Sequence, residues 1–354
     1  MPPLGIIEGF FGRPYSWGER HDMIRALGPA GYGFYLYASK ADAYLRKRWR
    51  DPYPEAELEA LAAFAEACRA AGVRFGVGLS PYELYRDFDA AAKEALAAKL
   101  DQLAAVGLDD LGVFFDDMRG DVPDLAAGQV EIVHWIAERA PGARLVACPS
   151  YYSDDPVLDR VFGQRPPGYL EDLGAGLDPA IDLMWTGEEV CSLQVTPDHL
   201  RRVTEQMRRK PFLWDNYPVN DGPRMSRRLH LRAFTGRPAA IGEHLAAHGI
   251  NTASQAVLSR IPALTLIDSY RDGPAYAYAA SFRRAARQVL GEEFAALVER
   301  NLLALQESGL DGLSEDHRAK LRARLAEHDH PAAREIEAWL DGAYAIGADE
   351  LQTQ

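Results

Sequence analysis

Two adjacent carboxylates, Asp116 and Asp117, follow the apolar run Leu111-Gly-Val-Phe-Phe115. Such a run reads as a buried strand, and placing two charges at its end is unfavourable unless they are paired or used. The plainer reading is a cap for a following helix, a position that favours aspartate. If residues 111–117 continue as strand, the two side chains point to opposite sides and meet different surroundings. They then fit poorly as the usual retaining glycosidase pair, whose carboxyls stand ~5–5.5 Å apart across the scissile bond. They suit a division of labour in which one carboxylate orients a neighbouring group of the substrate and the other exchanges a proton.

A second set of polar and aromatic residues stands at the ends of other apolar runs. Lys40 follows one of them, in a chain where lysine is scarce beside arginine. Trp185 and Trp214 end two more, where an indole can wall a sugar ring or an acetyl methyl, although tryptophan is commoner in a core. Asn216, Asp221 and Asn251 have the chemistry to bind hydroxyls, and equally to cap turns. His244 and His248 stand four apart with no Glu or Cys partner, a weak basis for a metal site. No G-x-S-x-G elbow or Ser-His-Asp arrangement is present, and no motif calls for a metal or cofactor.

The elements that would position these residues recur along the chain. Eight short apolar runs, at residues 4–8, 33–38, 74–80, 111–117, 144–149, 182–187, 211–216 and 240–247, each lead into polar residues. Between them lie helical patterns at 17–27, 55–71, 90–106, 125–140 and 197–208, with apolar residues three and four apart. Near-continuous apolar strands alternating with helices predict a parallel sheet covered on both faces. Eight units, with neither a G-x-G-x-x-G nor a P-loop, favour an α/β fold of the closed (β/α)8 TIM barrel type over an open doubly wound sheet. Active sites of such barrels lie at the C-terminal strand ends, where the candidate residues fall. Beyond residue 270 only helical patterns remain, at 275–290, 293–305, 315–326 and 331–343. The expected division is a catalytic barrel over 1–268 and a small all-helical region over 269–354.

Composition narrows the partners. With 47% hydrophobic residues in 354, the chain has material for one large core and a smaller appendage. A net charge of -13 without a basic stripe argues against nucleic acid. No apolar run approaches a membrane span. The three scattered cysteines, Cys68, Cys148 and Cys191, read as reduced packing residues, and the N-terminus enters a strand without room for a signal peptide, so the expected location is cytoplasmic.

Taken in order, several segments resemble the family 84 glycoside hydrolases, which include bacterial β-N-acetylglucosaminidases and nucleocytoplasmic O-GlcNAcases. They are Gly5-Ile-Ile-Glu-Gly-Phe-Phe-Gly-Arg-Pro-Tyr-Ser-Trp17, Tyr35-Leu-Tyr-Ala-Ser-Lys-Ala-Asp42 with Trp49-Arg-Asp-Pro-Tyr53, Phe114-Phe-Asp-Asp117, Cys148-Pro-Ser-Tyr-Tyr152, Trp185-Thr-Gly187, and Trp214-Asp-Asn216 with Asn220-Asp221. The resemblance covers residues 4–265. It implies a retaining, exo-acting β-N-acetylglucosaminidase working through an oxazoline intermediate on a GlcNAc-bearing glycoconjugate, O-GlcNAc-modified protein among the candidates. Asp116 would polarise the 2-acetamido N–H, and Asp117 would be general acid and then base. Tyr152 would bond the acetamido oxygen, Trp214 would wall the acetyl pocket, and Asn216 would support the centre. Gly9, through its carbonyl, with Lys40, Asp221 and Asn251 would hold sugar hydroxyls. The chain departs from the family pattern at Phe11, where tyrosine is expected, at Ser39, where proline is expected, and around Asn251, which lies in Asn-Thr-Ala-Ser-Gln rather than an Asn-Pro run. Two other readings stay open: an endo-acting N-acetylhexosaminidase of the hyaluronidase type, and a sugar-binding barrel without catalysis.

Overall fold

A computed structural model describes residues 1–347; residues 348–354, the end of the expected helical region, lie outside the described residues. Eight strands form the centre: β1 Leu4–Glu8, β2 Tyr32–Tyr37, β3 Arg74–Leu79, β4 Asp110–Phe114, β5 Arg144–Cys148, β6 Asp182–Trp185, β7 Phe212–Asp215 and β8 Ala247–Asn251. Each pairs in parallel with the next, and β8 pairs with β1, closing the barrel. The (β/α)8 architecture expected from the sequence is therefore the one observed. Closure places every strand's C-terminal end on one rim, which is why residues far apart in sequence meet there.

Local chemistry sets the intervening helices. Trp17–Leu27 opens with a reciprocal Ser16/Glu19 capping box, and Ala90–Val106 starts at an Asp89 cap and stops at Gly107 in the left-handed region. Pro197–Met207 starts from Thr196 with proline in its first turn. Four described helices lacked a distinct sequence pattern: the short Pro156–Phe162, Tyr169–Gly176 and Gly309–Gly312, and Arg260–Asp272.

The eighth strand corrects the sequence expectation. Residues Ala239–His244 form a 3-10 helix after Pro238, with Ile241 their single large apolar residue, fully buried. Alanine, glycine and glutamate there offer little β preference. The strand comes a few residues later and is buried along its length between β7 and β1. The shift makes Asn251 the last residue of β8. It also turns His248 inward, with Nε2 3.0 Å from Asp215 Oδ2 and Nδ1 2.8 Å from the Tyr270 hydroxyl, rather than toward a metal shared with His244.

Asp215 is the hub of this buried network. Arg237 donates to both its oxygens at 2.7 Å and also reaches the carbonyls of Ser192 and Leu193. Burial alone would raise the Asp215 carboxyl, but the Arg237 charge and the hydrogen bonds from Arg237 and His248 outweigh it and hold the group well below the ordinary carboxylate range. Side chains alternate along a strand, so anchoring Asp215 on one side of β7 fixes Trp214 and the following Asn216 on the other.

Beyond Asp272, helices Tyr278–Leu290, Glu292–Leu303, Glu315–Leu325 and Pro331–Leu340 gather a second hydrophobic cluster. It includes Leu229 and Leu231 from the β7–β8 connection and Val257, Leu258 and Ile261 beyond β8. Buried Glu335 accepts the N–H groups of Val257 and Leu258 at 2.8 and 3.0 Å, tying this cluster to the chain just downstream of Asn251. No described helix is long and apolar enough to cross a membrane.

Asp215→Asn should leave the Arg237 cation buried without its counter-charge and cost about 3–5 kcal/mol in urea unfolding. A loss below about 1 kcal/mol, the range of exposed pairs, would mean that the network does not support the barrel.

Candidate active site

At the C-terminal rim a cavity of about 220 Å³ is lined by the nine residues to which the family resemblance gave roles: Gly9, Lys40, Asp116, Asp117, Tyr152, Trp214, Asn216, Asp221 and Asn251. Phe11, Cys148, Thr186 and Val190 complete much of its wall. Trp185 does not take part, because it is fully buried and its indole N–H bonds His199 Nε2 at 2.9 Å. Asn220 is likewise internal, donating to the Arg228 carbonyl and to Gln255 Oε1 and accepting Ser254 N–H.

Asp116 and Asp117 do not diverge as adjacent strand residues would. Strand β4 ends at Phe114, and Asp117 has φ 56°, in the left-handed region. The turn swings both carboxyls toward one cation: Lys40 Nζ forms an ion pair with Asp116 Oδ2 and lies 3.5 Å from Asp117 Oδ2. The other Asp116 oxygen, Oδ1, is buried with no hydrogen-bond partner among the described residues. Tyr152 donates its hydroxyl proton to Asp117 Oδ1 at 2.8 Å.

The electrostatics follow from these contacts. Burial pushes Asp117 upward, but Lys40, Arg46 and the Tyr152 hydrogen bond more than offset it and hold the group below its ordinary value. Tyr152 is pushed well above the usual phenol range by burial and then by Asp117, so it stays a neutral donor. Burial and the charge of Asp116 push up the Cys148 thiol as well, which leaves it a poor nucleophile.

The wall is a closed set of hydrogen bonds. Asn251 Oδ1 accepts Gly9 N–H at 3.2 Å and its Nδ2 donates to Asn216 Oδ1 at 3.0 Å. Asn216 Oδ1 also accepts the Trp214 indole N–H, and its Nδ2 donates to the Val190 carbonyl. Both amides are thus engaged within the wall and shape it. Gly9 is required sterically, since a Cβ there would stand 2.4 Å from the Trp214 ring. Across the cavity Asp221 Oδ2 accepts Phe11 N–H at 3.0 Å. Burial, aided by the charge of Asp117 and opposed by the Phe11 hydrogen bond and Lys40, pushes Asp221 up to about 6.

One neighbour of the aspartate pair had no sequence signal. Arg46 is 4% exposed and donates toward the backbone carbonyls of the two aspartates. In the run Arg46-Lys-Arg-Trp-Arg50 nothing separates it from ordinary surface cations.

A closed parallel barrel with paired carboxylates, a lysine and an aromatic wall in one rim cavity has the organisation of a glycoside hydrolase. Residues 4–303 match the beta-N-acetylglucosaminidase family model, and the chain belongs to that family. It is similar to the Protein O-GlcNAcases of Mus musculus and Rattus norvegicus, each 30% identical over 242 residues. That alignment takes in 66% of this chain and 26% of each relative, so the chain spans about a quarter of their length. Among solved structures it resembles a point mutant of the Thermobaculum terrenum O-GlcNAc hydrolase, with TM-score 0.80 and 27% identity over 96% of this chain and 80% of that one.

If ionised Asp221 receives sugar hydroxyls, binding of N-acetylglucosamine should weaken as pH falls through about 6. Calorimetric titration on either side of that pH, repeated with Asp221→Asn, checks this: the variant should bind more weakly and lose the dependence. An unchanged pH dependence in the variant would assign it to another group.

Proposed function

We propose that the enzyme is a retaining, exo-acting β-N-acetylglucosaminidase that uses the substrate's own acetamido group as nucleophile. The observation that carries this reading is the state of Asp116, whose Oδ2 is paired with Lys40 while Oδ1 is buried without a partner among the described residues. A buried acceptor of that kind is costly unless a donor completes it, and the 2-acetamido N–H of a bound sugar is such a donor. With the N–H polarised, the acetamido carbonyl oxygen attacks the anomeric carbon as the glycosidic bond breaks, and the leaving oxygen takes a proton from Asp117. Asp117 then takes a proton from water, which attacks the anomeric carbon and reopens the oxazoline with overall retention.

Asp117 must carry a proton at the start of that sequence, and its contacts with Lys40 and Tyr152 oppose this in the free enzyme. A substrate that draws the Tyr152 hydroxyl to its acetamido oxygen removes one of the bonds that stabilise the anion. Binding therefore raises the affinity of Asp117 for its proton, as a general acid needs. Exo action is supported by the cavity size of about 220 Å³, below the ~300–1,000 Å³ of drug-sized sites, and by Asp221, Gly222 and Asn251 in its lining. Relatives named for O-GlcNAc hydrolysis favour a serine- or threonine-linked sugar on protein as the substrate. A reducing, cytoplasmic setting belongs to the same proposal, supported by free thiols at Cys68, Cys148 and Cys191.

Hydrolysis of an aryl N-acetyl-β-D-glucosaminide is the test. Asp116→Asn should lose about 10²–10³-fold in kcat, and a thiazoline mimic of the oxazoline should inhibit the wild type tightly. Asp117→Ala should lose about 10²–10⁴-fold on substrates with poor leaving groups and much less on activated aryl glycosides. Sugar binding without turnover would leave a binding barrel, and internal cleavage of an N-acetylhexosamine polymer would mean endo action. The basic limb of kcat should also lie at higher pH than that of kcat/KM, because bound substrate takes Tyr152 from Asp117; coincident limbs would count against that exchange.

A further inference from the structure

The backbone of the Asp116–Asp117 turn is held from another strand's loop. Asp117 sits in the left-handed region, which aspartate enters more readily than most residues though less freely than glycine, so the contacts around the turn decide how firmly it is held. Lying beyond β4, the turn needs partners for its carbonyls outside the ladder. Arg46 Nη2 lies 3.1 Å from the Asp117 carbonyl oxygen, and Nη1 lies 3.5 Å from that of Asp116, at the outer limit of a hydrogen bond.

Arg46 is itself well anchored. Its guanidinium sits over the Tyr82 ring at 5.5 Å, its backbone N–H donates to the Ala43 carbonyl, and the adjoining Leu45 carbonyl accepts Ser80 N–H at 2.8 Å beyond β3. The same loop carries Lys40. One segment after β2 thus grips the catalytic pair twice, by the carboxyls through Lys40 and by the carbonyls through Arg46. Arg46 does not line the cavity, so an effect on the reaction passes through the residues it touches, the Asp116 and Asp117 carbonyls among them.

We propose that Arg46 is a positioning residue for catalysis, fixing the left-handed turn that delivers the Asp117 carboxyl to the leaving-group oxygen. This rests on the hydrolase reading above. The charged and titratable groups around Asp117 are Asp116 beside it, Lys40 and Arg46 from the β2 loop, Cys148 and Tyr152 from β5 and its loop, and Asp221 beyond β7. Of the two cations, Lys40 lies in the cavity and Arg46 behind the turn.

Kinetics of Arg46→Gln and Arg46→Lys, with thermal melts to verify folding, test the proposal. Arg46→Gln should lose about 10²-fold in kcat on a substrate with a poor leaving group, much less on an activated aryl glycoside, with KM near the wild-type value. The basic limb of its kcat/KM profile should move to higher pH, because a cation that favours ionised Asp117 is gone. Arg46→Lys should keep that limb near the wild-type position and recover only part of the rate, since an ammonium cannot reproduce the planar fork. Equal losses on both leaving groups with an unmoved limb, or a change confined to KM, would overturn the proposal. If Arg46→Gln does not fold, the leaving-group split in Arg46→Lys decides, and an even loss there rejects it. Failure of the hydrolase reading is separable: there the wild type itself does not turn over, whereas failure of this proposal alone leaves an active wild type and a leaving-group-dependent Asp117→Ala.

Discussion

Adjacent residues can bring two carboxylates into one buried cavity only if the chain leaves strand geometry between them and cations gather around the result. The left-handed turn at Asp117 meets the first condition. Lys40, in contact with one carboxyl and 3.5 Å from the other, meets the second from inside the cavity, and Arg46 adds charge behind the turn. Without them, like-charge repulsion and desolvation would drive one aspartate to bind a proton permanently. The closed barrel makes the meeting possible, since Lys40 and Asp116 are 76 residues apart in sequence but stand at the same rim.

The opposite wall obeys a different rule. Gly9, Trp214, Asn216 and Asn251 come from β1, β7 and β8 or the residues just beyond, and their polar atoms bond mainly one another and the Val190 carbonyl. A buried polar network satisfied in this way is rigid, because changing one member strands another. Its rigidity is inherited from below, where Asp215 is clamped by Arg237 and His248 on the other side of the same strand. In the proposed reaction the wall therefore supplies shape, and Asp116, Asp117, Tyr152 and Asp221 supply the groups that change partners.

How much of this was legible in the sequence depended on whether a residue's role was local. Seven strands were visible because buried parallel strands read as apolar runs, and β8 was placed a few residues too early because Ala-His-Gly-Ile-Asn carries little of that signal. The rim residues were found because each follows a strand end or matches a family motif, and all nine line one cavity. By strand position alone Trp185 was indistinguishable from Trp214, and only the family resemblance singled out Trp214; packing sends one indole to His199 and the other to the cavity. The joint approach of the two aspartates depended on a single backbone angle that no residue type announces, because aspartate is tolerated in strands, caps and left-handed turns alike. Arg46 was hidden for the same reason: its partners are carbonyl oxygens, which every residue has.

The charges of the cavity also define the ligand it suits. Among the described residues, three carboxyls, Asp116, Asp117 and Asp221, line it with one cation, Lys40, and Asp221 is raised toward neutrality partly by the field of Asp117. An anionic sugar would add to that repulsion, whereas a neutral sugar rich in N–H and O–H donors relieves it by bonding to the carboxylates. In the proposed reaction positive charge grows on the acetamido nitrogen and the anomeric carbon, close to Asp116. A site with excess negative charge stabilises that state more than it stabilises the neutral substrate, and this difference is what accelerates a reaction. The cations are therefore best placed where they hold the aspartates without facing the developing charge, and Arg46, behind the turn and outside the cavity lining, meets that requirement.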